Sequence, residues 1–98
     1  MLSPTTTAVP FVAGATQVVK AAGPCMYKGV VCRELSAATL VLRIWDNASA
    51  ASGTIVDEVV LGANGFVSSW VSDGIWCSNG LFVERVSGTN YEGSVRLG

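Results

Sequence analysis

Turn-forming residues recur along this chain at short, regular intervals, and that spacing limits the fold more than any other feature. They fall at Gly14, Gly23-Pro24, Gly29, Asp46-Asn47, Ser52-Gly53, Gly62 to Gly65, Asp73-Gly74, Asn79-Gly80, Ser87-Gly88 and Gly93. The stretches between them are too short for ordinary helices and are rich in β-branched residues, with 15 Val, 7 Thr and 3 Ile in 98 residues. Such runs prefer extended backbone, and many short strands separated by turn signals point to an all-β sandwich or jelly roll. The spacing predicts strands near 15–21, 25–35, 39–46, 54–61, 66–71, 81–87 and 91–97. Segment 8–12 is a further candidate strand, paired either within the domain or on a neighbouring chain. Ala48 to Ser52 reads as the tip of a hairpin, and a short helical turn near Ser36 to Ala38 remains open.

Alternation marks the core faces. Leu40, Leu42 and Ile44 share one side of their strand, and Val41, Arg43 and Trp45 share the other. Leu81 and Val83 oppose Phe82, Glu84 and Val86, while Gly93, Val95 and Leu97 oppose Glu92, Ser94 and Arg96. In the first two runs the second face also carries a large aromatic, which suits a strand covered on both sides.

Charged residues make up 13% of the chain, against roughly 25% in ordinary soluble proteins. Half of the residues are apolar. A domain this small buries only about 60–65% of its unfolded surface, so some apolar side chains must stay outside. Large exposed apolar patches mark partner contacts, and the expected state is a homo-oligomer. The formal charge of −1 provides no basic excess for nucleic acid.

The first charged side chain is Lys20. Pro4, Pro10, Gln17 and the Thr5 to Thr7 run argue against a spanning helix, and no positive region precedes an apolar stretch as in a signal peptide. Residues 1–14 therefore read as an extended N-terminal arm preceding a single β-sandwich domain, 15–98. Its apolar anchors are Val9, Phe11 and Val12. Such a segment orders by adding to the edge of a neighbouring subunit's sheet.

The cysteines are Cys25, Cys32 and Cys77, an odd number. Cys25 and Cys32 would lie roughly 23 Å apart along a continuous strand, beyond disulfide reach. All three read as reduced, buried small hydrophobes. No C-x-x-C occurs, and no metal or cofactor is expected. The chain contains no histidine, the commonest general base and metal ligand. Its serines lack the usual activating partner. Asp57 and Glu58 are adjacent on a strand, so they point to opposite faces and cannot act as a carboxylate pair. Asp46, Asn47 and Asp73 fit turn-capping roles better than calcium ligation. No catalytic residues and no small-molecule substrate are expected. Trp45, Trp70 and Trp76 remain open between core, subunit interface and glycan platform.

Two runs carry a family resemblance: Gly29 to Leu35 followed by Leu40 to Thr54, and then Gly74-Ile75, Asn79 to Val83, Ser87 to Thr89 and Gly93 to Val95. In the first, a strand ends in Asp46-Asn47, a Ser/Ala/Gly loop follows, and Gly53-Thr54 opens the next strand. The pattern resembles small virion proteins of tailed bacteriophages and covers residues 28–98. The resemblance implies a β-sandwich structural protein of a phage particle, made in the bacterial cytoplasm. The expected role is capsid decoration, as a trimer bound to the major capsid protein on the outer head surface and away from membranes. The rival is a receptor- or glycan-binding module of a tail or head fibre. The expected interface residues are Val9, Phe11, Val12, Trp45, Trp70 and Trp76.

Overall fold

The computed structural model describes residues 6–98, so the part of the expected arm before residue 6 lies outside the described residues. Nine strands follow in order: β1 Thr7–Pro10, β2 Gln17–Lys20, β3 Cys25–Glu34, β4 Leu40–Asp46, β5 Thr54–Leu61, β6 Phe66–Ser68, β7 Ile75–Cys77, β8 Leu81–Ser87 and β9 Tyr91–Leu97. They form two antiparallel sheets. One has the order β1-β9-β3-β6, with β7 also on β3, and the other has the order β2-β8-β4-β5. The fold is an all-β sandwich.

β6 and β7 occupy successive stretches of the same β3 edge. Ser68 faces Val31 and Phe66 faces Arg33, whereas Cys77 faces Cys25 and Ile75 faces Tyr27. Between them, Ser69 N and Val71 N still donate to Val30 O (2.8 Å) and Lys28 O (2.9 Å). The Val71 to Gly74 turn then bulges outward, closed by Gly74 N donating to Val71 O (3.0 Å). Counted as one interrupted edge strand, β6 and β7 complete a simple pattern. Successive strands alternate between sheets everywhere except at the β4–β5 hairpin, and this is the wrapping of a jelly roll.

The core lies between the sheets. Leu40, Leu42 and Ile44 from β4 and Leu81 and Val83 from β8 meet Tyr27, Val30, Cys32, Tyr91 and Val95 from the opposite sheet, and all of these are buried. The faces read from alternation in β4 and β8 are the ones turned inward. Phe82, on the outer side of β8, is also buried. Its cover comes from Trp45 and Val18, its neighbours on the two flanking strands, because same-face neighbours across a sheet touch directly.

The N-terminal segment takes the in-domain pairing that was open for residues 8–12, not the neighbour's edge expected of an arm. β1 pairs with β9 of its own chain, with Thr7 facing Leu97 and Pro10 facing Ser94. Phe11 N extends the ladder to Gly93 O (2.9 Å), and the Phe11 ring meets Tyr91 edge-on, with centroids 5.8 Å apart. The free edge of β9 supplies main-chain partners within the molecule, and the core supplies the Phe11 contact. Residues 7–11 are thereby part of the first sheet rather than an arm held for a neighbour. The open question at residues 36–38 resolves as a bend, with Ala37 at φ 56°.

Glu34 is the one buried charged residue among those described. Its carboxylate accepts from Ser36 Oγ (2.6 Å), Ser36 N (2.9 Å), Asn64 N (3.0 Å) and Ala38 N (3.2 Å). It ties the β3–β4 turn to the β5–β6 turn. The Ser36 hydroxyl first, and then the backbone N–H groups, hold its pKa down at about 2 against the burial that opposes them.

Candidate functional site

Strand pairing decides which side chains share the outer face of the first sheet. Cross-strand partners lie on the same face, so Met26 sits beside Trp76 and Arg33 beside Phe66 and Glu92. Arg33 and Glu92 form an exposed ion pair (3.6 Å). Trp70 follows the inward-turned Ser69, whose hydroxyl accepts from Val30 N (3.1 Å). Its indole lies under the Arg96 guanidinium, 5.7 Å from the ring centroid. Arg96 Nη1 also donates to Ser69 O (2.6 Å). The Ser69 bond holds the guanidinium over the Trp70 ring.

Gly29 makes this arrangement possible. It has φ +129° and stands at the point where the β3–β9 register shifts. A Cβ there would collide with the Ser69 carbonyl. Only glycine lets the 69–70 backbone lie close against β3.

The result is an outer face on which Phe66, Trp70 and Trp76 are 62%, 55% and 61% exposed. Met26, Lys28, Arg33 and Arg96 lie among or beside them. Aromatic rings with neighbouring guanidinium groups are the residue types enriched at energetic centres of interfaces. The same rings offer flat faces to a sugar.

The six residues expected from the sequence divide across the molecule. Val9 and Phe11 are half-buried on the first sheet, Val9 facing Val95 and Phe11 packed on the core. Val12 is exposed. Trp45 lies on the second sheet, half-buried, and donates through Nε1 to Glu84 Oε1 (3.2 Å). Trp70 and Trp76 share the outer face of the first sheet. Sequence reasoning missed Phe66 and Arg96. For Phe66 a signal was present. Alternation through 66–71 sets Phe66, Ser68 and Trp70 against Val67, Ser69 and Val71.

A second feature is a cleft of about 170 Å3 between β5 and β6, lined by Val30, Val59, Leu61 and Val67 with Asp57 and Ser69 at its polar side. Tyr27 Oη donates to Asp57 Oδ2 (2.6 Å). Burial first, and Asp57 second, push the Tyr27 phenol well above its ordinary range. The cleft is smaller than the roughly 300–1,000 Å3 typical of small-molecule pockets, and its polar groups are already engaged, Asp57 by the Tyr27 hydroxyl and Ser69 by the Val30 backbone. Asp46 caps a turn, accepting from Ser78 N (3.3 Å) and Asn79 N (3.0 Å). Among the described residues, no three His, Cys, Asp or Glu side chains are grouped to hold a metal ion. No helix among them is long and apolar enough to cross a membrane.

Compared with protein-family models, curated proteins and solved structures, the chain matches none.

Proposed function

We propose that this chain is a structural protein of a tailed-bacteriophage particle, a decoration protein that docks as a homotrimer on the major capsid protein of the head. The observation that carries this reading is the exposed aromatic face formed by Phe66, Trp70 and Trp76. Three large rings on one side of a 10.1 kDa domain amount to an apolar surface that a partner would cover. A jelly roll suits the role, since the architecture is used in viral capsids. Fold alone does not assign function, and the face supplies what the fold lacks. The mechanism is mechanical. Apolar burial across a junction between shell subunits raises the work needed to separate them.

A second reading rests on Trp70. Its ring is exposed and lies under the Arg96 guanidinium, an aromatic face of the kind a glycan platform uses, and jelly rolls also serve lectins. Cryo-electron microscopy of phage particles carrying the protein separates the two. Decoration places its density on the outer head surface with three-fold symmetry. Density on a tail or head fibre, together with binding to a glycan array, favours the second reading and defeats the first.

A further inference from the structure

We infer that Cys25 and Cys77 are a latent cross-strand disulfide, closed by exchange with a small-molecule disulfide such as oxidised glutathione. The two cysteines are direct partners in the β3–β7 ladder. Antiparallel partners have Cα atoms about 4.5–5.5 Å apart, within the roughly 4.4–6.8 Å that a disulfide spans. Both side chains turn into the core, Cys25 at 6% exposure and Cys77 fully covered. Cys77 Sγ also reaches the Ile75 carbonyl (3.6 Å). Cys32 lies further along β3 and faces Val67 and Gly93 rather than a cysteine.

The site is built to stay open until it is oxidised. Burial raises both thiols, Cys77 to about 12, so few thiolates exist at neutral pH and closure is slow. Cys25 is slightly exposed, at 6%, whereas Cys77 is fully covered, so Cys25 attacks first. Its thiolate attacks one glutathione sulfur, forming a mixed disulfide and expelling one glutathione thiolate. The Cys77 thiolate then attacks the Cys25 sulfur and expels the second glutathione. The protein pair loses two electrons and two protons, and the glutathione disulfide gains both. Access comes from the edge position of β7, which is three residues long and, among the described residues, has no further strand beyond it. Short edge strands open at low cost. Once closed, the bridge ties residue 25 to residue 77 and fixes the edge that carries Trp76.

The test uses the native protein in reduced and oxidised glutathione at mildly alkaline pH. Samples are acid-quenched, then unfolded, alkylated and mapped. The reduced sample should give three free thiols per chain. The oxidised sample should give one, weigh two hydrogens less before alkylation, and yield a peptide joining Cys25 to Cys77. A folded Cys32→Ala variant should lose all its thiols under the same oxidation. Amide exchange across Ile75–Cys77 should slow on closure. Three thiols after prolonged oxidation, a persistent glutathione adduct without a bridge, or a bridge to Cys32 would each overturn the inference.

Discussion

The two outer faces of this sandwich use the same residue type in opposite ways. On the second sheet, Trp45 is half-buried, bonds Glu84 through its indole N–H, and helps to cover Phe82. Beside it, Arg43 pairs with Glu58 (2.9 Å) and Val41 faces Val60. On the first sheet, Phe66, Trp70 and Trp76 remain more than half exposed. Edge geometry accounts for the difference. Trp45 belongs to a central strand with a neighbour on each side. The exposed rings belong to the interrupted edge of β6 and β7, which among the described residues has a strand on one side only. Burial within a sheet requires flanking strands, so aromatics placed on an edge stay available to a partner.

Truncation variants should separate the faces. The largest loss of stability is expected from Gly29→Val, which forces a Cβ into the Ser69 carbonyl and strains φ. A change of more than ~3 kcal/mol would place it among severe backbone effects, and chemical denaturation measures it. Trp45→Ala should cost about 2–4 kcal/mol, because it removes packing and uncovers Phe82, and the same denaturation series compares it directly with Gly29→Val. A loss below about 0.5 kcal/mol would erase the contrast between faces. Trp76→Ala should change stability by no more than about 0.5 kcal/mol, as exposed positions do. Its thermal midpoint should match that of the parent while its binding to particles falls.

A fourth prediction concerns the turn clasp, which serves both sheets. The pKa of Glu34 lies below its ordinary 4.5, at about 2. A depressed carboxylate stabilises the fold fully above its unfolded value and loses that contribution as pH falls through the folded one. Thermal midpoints should therefore decline between pH 4.5 and pH 2, and Glu34→Gln should flatten that part of the profile. An unchanged slope in the variant would remove Glu34 as the cause.

The strands from β3 onward were legible because turn residues bound them and alternation marks their inner faces. β7 was not. Three residues between Asp73-Gly74 and Asn79-Gly80 are too few to show a period. The Cys25–Cys77 pairing was hidden for a related reason, since it depends on a ladder between positions distant in sequence. Composition around Pro4 and Pro10 predicted extended backbone, but no local property says which sheet edge receives β1. For the candidate face, the period through 66–71 held the orientation of Phe66 and Trp70, whereas the place of Trp76 beside Met26 follows only from register.

The exposed face of the first sheet is the proposed docking surface, and a double variant tests that most directly. Trp70→Ala/Trp76→Ala and the parent protein should be compared by co-sedimentation with phage heads that lack the decoration, with folding checked by thermal midpoint. Replacing two aromatic anchors at the centre of an interface costs about 2 kcal/mol or more, so affinity should fall at least roughly thirtyfold while the fold is retained. Full binding by a folded double variant would contradict the assignment of this face.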